Sequence, residues 1–251
     1  MSDLASPKVL VIEHEWNVDI ALVGDRLAAA GLAVETVGPD RAVAIPDHLE
    51  GVDGLLVLGG KMDPDDDTGA PWLPAVRRLL REAIGLQLPT MGICLGAQLL
   101  GMAVGGRVRL IPAGPEIGLH RVRPTEAAGA DPLLHHLLPD GRRVLEWHWW
   151  EVTDLPEQCD GQPVTVLAEG EQCPVQAFVV GEVVWGMQFH LEALARTAEA
   201  WARSDPARLT DLGIDPDRLV ADVTAAESEL IDSWAPVVDS WAEVVHARAA
   251  G

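Results

Sequence analysis

The sequence predicts an α/β fold with a mostly parallel central sheet, helices on both faces and added antiparallel strands. Three observations predict it. The runs KVLVI at Lys8 to Ile12 and GLLVL at Gly54 to Leu58 are apolar throughout rather than alternating, so they read as strands buried on both faces. Stretches of helical periodicity separate such runs in the first hundred residues. From about Gly106 the pattern changes to shorter strands spaced closely enough for hairpins. At 251 residues the chain can build one sizeable core, so a single domain over 1–251 is expected, with a core at about 8–204 and a helical C-terminal extension at about 216–249.

In chain order, Lys8 to Ile12 is followed by a helical pattern from about Asp19 to Ala30, which Gly31 stops, and by a strand at Leu32 to Val37. This is a βαβ opening. Gly54 to Leu58 ends in Gly59-Gly60, where the backbone can turn sharply and approach a ligand. Pro71 to Leu86 carries apolar residues at Leu73, Val76, Leu79, Leu80 and Ile84, one face of a helix, and Pro89 to Ile93 returns to strand just before Cys94. Beyond Gly106, strands are expected at Val108 to Ile111, Leu119 to Arg123, Val144 to Trp147, Val164 to Ala168, Val175 to Val180 and Val183 to Phe189, with a tight turn at Gly181-Glu182. The last helix should start at Asp215 and Pro216 as N-cap and first-turn residue. Its stripe of Leu219, Val223, Ala226, Leu230 and Trp234 packs on the chain's own domain or, as the alternative, forms a homodimer interface. Pro236 is expected to kink or interrupt it.

Composition narrows the functions. Lys and Arg number 18 against 39 Asp and Glu, a formal charge of -21, which repels phosphate backbones and anionic membranes; neither nucleic acid nor a membrane is an expected partner. No apolar stretch reaches spanning length, and the start lacks a signal-peptide pattern. Cys94, Cys159 and Cys173 suit neither a disulfide framework nor a zinc site, which fits a reducing cytoplasm. Asp63, Asp65, Asp66 and Asp67 form the densest acidic cluster; a solvated loop is expected there rather than a divalent-cation site.

The chemistry is carried by Pro89-Thr-Met-Gly-Ile-Cys-Leu-Gly-Ala-Gln98, which sets a cysteine in G-x-C-x-G between an apolar strand and an apolar helix. That is the cysteine form of a nucleophile elbow. Gly92 and Gly96 leave room for the tight turn, and the helix N-terminus beneath Cys94 favours thiolate over thiol. The Leu95 N–H points where an oxyanion would form, and the Gly59-Gly60 turn is placed to supply a second donor. Alone, such a cysteine is often a small hydrophobe. Trp185-Gly-Met-Gln-Phe-His-Leu-Glu192 changes the weighing, because residues two apart on an extended chain face the same side. Glu192 can therefore hold one ring nitrogen of His190 while the other faces Cys94.

GICLGAQ, the upstream LVLGG and GMQFHLE together resemble, in order, the signature stretches of the class I (triad-type) glutamine amidotransferases. The likeness runs from about Val9 to Trp201 and is nearest the free-standing members similar to the amidotransferase domain of GMP synthase, through Glu116-Ile-Gly118 and Glu146-Trp-His148. It implies a flavodoxin-like sheet, Cys94 as nucleophile, His190 as base and acid, Glu192 as orienter, and Gln98 with the Gly60 region in the glutamine pocket. Leu191 stands where the family commonly has Pro, Ala97 where it has His, and Lys61 where Pro usually follows the double glycine.

His148, within Trp147-His-Trp-Trp150, is a candidate substrate contact or a piece of cleft wall. His14 could line the cleft or be structural. Glu116 could act near the site or fix its loop, and Cys159 and Cys173 are expected to be unreactive. The resemblance implies that Cys94 attacks the side-chain amide of glutamine, that a γ-glutamyl thioester forms, and that no metal or organic cofactor is needed. With no P-loop pattern in the chain, ammonia would pass to a separate synthetase subunit or go free. A γ-glutamyl peptide or amide hydrolase with the same triad is the second reading, and a non-catalytic regulatory or binding module the third.

Overall fold

The computed structural model describes residues 6–18, 20–41 and 43–251. The expected start of the first helix, Asp19, lies outside them. The elements run β1 (Lys8–Ile12), α1 (Ala21–Ala29), β2 (Ala33–Val37), β3 (Gly54–Val57), α2 (Leu73–Leu86), β4 (Thr90–Ile93), α3 (Leu95–Ala103), β5 (Arg107–Leu110) and β6 (Glu116–Pro124). Two short 3-10 turns lead to β7 (Arg142–His148), β8 (Trp150–Thr153), β9 (Gln158–Cys159), β10 (Gln162–Glu169), β11 (Ala177–Val180), β12 (Val184–Met187), α4 (Ala195–Ser204), α5 (Pro206–Asp211) and α6 (Pro216–Ala249).

The main sheet has the order β2-β1-β3-β4-β12-β11-β10-β6-β7. Its first five strands are parallel neighbours, and from β12 to β7 every pairing is antiparallel. The curled, mixed architecture is the expected α/β class. Alternation along β1 explains its unbroken apolar run: Val9 and Val11 join a core shared with α1, α4 and α6, while Leu10 and Ile12 join a second core with α2 and α3. The Gly181 turn links β11 to β12, whose register closes at Val180 opposite Val184. Two strands were not foreseen: β8 pairs with β5, and two-residue β9 pairs with β10.

The apolar stripe of α6, from Leu219 to Val245, is buried in the chain's own core. Arg26 grips Asp239 from α1 through two hydrogen bonds of 2.7 and 2.6 Å, and the Trp234 indole donates to the Arg143 carbonyl at 2.9 Å. Of the two outcomes expected at Pro236, a kink or an interruption, the interruption does not occur, and α6 runs through the proline as one helix. The carbonyl that Pro236 leaves without a partner belongs to exposed Asp232, where water can satisfy it, and buried Trp234, Val237 and Trp241 clamp the helix around the proline. Among the described residues no helix is long and apolar enough to cross a membrane.

Candidate active site

Three neighbouring parallel strands, β3, β4 and β12, end on one side of the sheet, and Gly59-Gly60, Cys94 and His190 follow them. Cys94 is the hinge between β4 and α3. Its backbone at φ 51°, ψ -106° lies in a region an L-residue rarely occupies, a strain that the surroundings hold in place. The Cys94 N–H donates to Met187 O at 2.8 Å, tying the bend to β12. The flanking glycines are sterically required. A Cβ on Gly96 would sit 2.2 Å from Val57 O, and one on Gly92 would sit 2.7 Å from Gly96 O. At the start of α3 the Leu95 N–H finds no acceptor among the described residues, and neither does the Gly60 N–H.

His190 is held from both ends. Its N–H donates to Leu145 O at 2.9 Å, and its ring Nδ1–H donates to Glu192 Oε1 at 2.6 Å, with Glu192 fully buried. Burial alone would lower the imidazole pKa, but the charges of Glu192 and Cys94 and the hydrogen bonds to both override it and hold it well above the usual value. The Gly59 turn passes against both partners: a Cβ there would lie 2.9 Å from His190 Cε1 and 3.4 Å from Cys94 Cβ. Trp201 of α4 meets the other side of the ring edge-on, with centroids 4.6 Å apart.

His148 is buried beside the same cavity, yet both of its nitrogens are taken by the protein. Nδ1 lies 2.9 Å from Trp150 O; Nε2 lies 3.1 Å from Glu116 Oε2 and 3.0 Å from Glu146 Oε2, close as ion pairs though poorly aligned as hydrogen bonds. Burial would depress its pKa, but the two carboxylates and Cys94 push it up to about 10. Desolvation is also the largest influence on the carboxyls; it keeps Glu146 raised, whereas His148 brings Glu116 below its usual range. Gln176 donates to Glu116 Oε2 at 2.8 Å. The three ligating atoms of Glu116, Glu146 and His148 lie within 4.8 Å of one another, the spread a cation would need, and the imidazolium itself supplies that positive charge. Gln98 lines the cavity from α3, with Nε2 donating to Trp150 O and Gln188 Oε1, each at 3.2 Å.

The cavity above Cys94 and His190 measures about 420 Å³. Its walls include Trp147, Trp149, Trp150, Trp201 and Arg208, of which the sequence pattern marks only the Trp147–Trp150 cluster. Nothing in the local sequence marks Trp201 or Arg208, since both sit on short amphipathic helices. A larger cleft of about 760 Å³ at the start of α6 contains none of Cys94, His190 or Glu192. His14 is not among the residues lining this cavity; its buried Nδ1 accepts from the Trp72 indole at 3.0 Å, and burial lowers its pKa to about 4. Lys61 pairs with Glu15 at the cavity rim at 3.1 Å. The Asp63–Asp67 carboxylates do not converge; Asp63 accepts from the Trp150 indole, Asp66 from Gly69 N–H and Asp67 from Arg77. Burial raises the thiol pKa of Cys159 and of Cys173, in keeping with low reactivity.

Residues 20–203 match the family model for glutamine amidotransferase class-I. The chain is 33% identical to the glutamine amidotransferase-like protein YfeJ of Salmonella typhimurium over 67% of this chain and 68% of that one. It is 37% identical to a glutamine-hydrolyzing GMP synthase chain of Halobacterium salinarum over 60% of this chain and 71% of that one. Gamma-glutamyl peptidase 3 of Arabidopsis thaliana is 26% identical over 57% and 56%. The crystal structure of a glutamine amidotransferase from Thermotoga maritima superposes with a TM-score of 0.82 at 26% identity, covering 94% of this chain and 98% of that one.

Proposed function

We propose that this chain, which belongs to the class I glutamine amidotransferase family, hydrolyses the side-chain amide of glutamine through a γ-glutamyl thioester on Cys94. The observation that carries the reading is the strained Cys94 bend beside His190, whose ring Glu192 holds at 2.6 Å. The Cys94 sulfur bonds to the amide carbon, and the carbonyl electron pair moves onto oxygen, where the Leu95 and Gly60 N–H groups receive it. As the carbonyl re-forms, the carbon–nitrogen bond breaks and the departing nitrogen takes a proton from His190. Water, losing a proton to His190, then adds to the thioester; glutamate leaves and the sulfur recovers the proton.

Relatives that carry glutamine hydrolysis in their names support glutamine as substrate and a separate synthetase as the ammonia acceptor. The cavity of about 420 Å³ favours a second reading, hydrolysis of larger γ-glutamyl amides by the same residues, to which the gamma-glutamyl peptidase relative also points. Three unpaired cysteines suit a reducing, cytoplasmic setting. Acid-quenched mass spectrometry of the chain mixed with glutamine should detect a γ-glutamyl adduct on the Cys94 peptide, and Cys94→Ala should show neither adduct nor ammonia. An unchanged rate in Cys94→Ala would overturn the reading.

A further inference from the structure

We propose that the tryptophan wall of the cavity is a binding site for the leaving amine, and that this amine carries an aromatic or bulky apolar group. The proposal rests on the second reading above, hydrolysis of larger γ-glutamyl amides through the same Cys94 thioester, and specifies the other half of that substrate. If His190 protonates the departing nitrogen, whatever that nitrogen carries must lie beside the imidazole. The imidazole packs edge-on against Trp201 at 4.6 Å, and Trp201 in turn meets Trp147 edge-on at 5.5 Å. The path away from the reacting bond therefore runs along indole surface, continued by Trp149 and Trp150 and reaching Leu110, which is 58% exposed at the mouth. Four of the chain's nine tryptophans line this one cavity. That is more aromatic surface than bare ammonia could use.

The wall is built rather than incidental. Trp150 O receives both His148 Nδ1–H at 2.9 Å and Gln98 Nε2–H at 3.2 Å, so buried polar groups fix the strand that carries the indoles. The indole N–H of Trp150 is spent on Asp63 at 3.0 Å and that of Trp201 on Asn17 O at 3.1 Å. These two rings consequently offer ring surface and no donor, a complement for apolar or aromatic groups. Of the lining carboxylates, Glu15 is paired with the Lys61 ammonium, whereas Asp63 and Asp205 accept only from neutral N–H groups, those of the Trp150 indole and the Arg208 backbone, and stand exposed to solvent. The Arg208 guanidinium already stands 4.0 Å over the Trp149 ring. A cationic amine such as a diamine thus finds a cation at the tryptophan wall itself, and the free carboxylates of Asp63 and Asp205 are solvated.

The test is a series of initial rates for γ-glutamylphenylalanine, γ-glutamylglycine, mono-γ-glutamylputrescine and glutamine. The phenylalanine compound should exceed the glycine compound in kcat/KM by about 10-fold or more, the scale a hydrophobic pocket can supply. Trp147→Ala and Trp149→Ala should bring that ratio towards one, and Trp149→Leu, which retains apolar bulk, should fall between. Equal or better use of γ-glutamylglycine, of the diamine compound or of glutamine would overturn the proposal while leaving the thioester reading intact. Release of glutamate from none of the four would overturn the thioester reading itself. The wild-type series decides without any variant having to fold.

Discussion

Two buried histidines share the cavity with Cys94, each held by carboxylate, and they differ in what is left over. His190 gives Nδ1–H to Glu192 and keeps Nε2 for the cysteine and the substrate; His148 has Nδ1 on Trp150 O and Nε2 between Glu116 and Glu146. Both imidazoles are pushed towards the cationic form, so charge alone does not distinguish them. A free ring nitrogen does. Proton transfer needs a heavy atom within hydrogen-bond reach of the reacting group, and a fully engaged ring can only hold its neighbours in place. We therefore propose His190 as the acid and base, with His148 as a positioning residue that fixes Trp150 and the aromatic wall.

Removing one histidine and then the other is the strongest test. His190→Ala should lower kcat by about 10⁶-fold, the scale of losing a triad's base, and abolish the thioester adduct. Gly59→Ala should strike the same pair indirectly, because its methyl would sit 2.9 Å from His190 Cε1 and displace the ring. A displacement of about 1 Å costs about 10²-fold, so kcat should fall by that order while circular dichroism stays unchanged. His148→Gln keeps a donor for Trp150 O but removes the positive charge between Glu116 and Glu146. It should cost about 10-fold in kcat/KM, a fraction of the roughly 10²-fold ceiling for misplacement, and still form the adduct. An equal collapse in His148→Gln and His190→Ala would erase the distinction.

The glycine-flanked cysteine, the His-x-Glu spacing and the double glycine could be read from the sequence because each is local: it needs only the chain direction and the side-chain alternation of a strand. The parallel half of the sheet was legible for the same reason, since strands such as Lys8–Ile12 are apolar on both faces. The roles of Trp201 and Glu116 were not, because they depend on which distant segments meet. Trp201 reaches His190 only when α4 folds back over β12, and Glu116 meets His148 through the β6–β7 register. Likewise β8 was missed because its partner β5 lies some forty residues earlier, across the whole of β6 and β7. Pro236 shows the converse: local chemistry allowed a kink or a break, and with Trp234, Val237 and Trp241 buried around the proline the helix is not broken.

Buried histidines also differ in how they answer to pH. Because the folded pKa of His148 is raised, to about 10, its stabilising charge is fully present below its unfolded value near 6.5 and is lost as pH rises through the folded value. Stability should decline from neutrality towards pH 10, and His148→Gln should flatten that alkaline limb in urea titrations. His14 provides the opposite case. Its folded pKa is depressed to about 4 by burial, so it contributes above about 6.5 and is penalised as pH falls, when the unfolded chain takes up a proton the native site refuses. Between pH 7 and pH 5 this difference is worth about 2 kcal/mol, from about 1.4 kcal/mol for each unit by which the two pKa values differ. His14→Asn preserves an acceptor for the Trp72 indole and cannot titrate, so the acid limb should lose that slope; a slope identical to wild type would assign acid sensitivity to other groups.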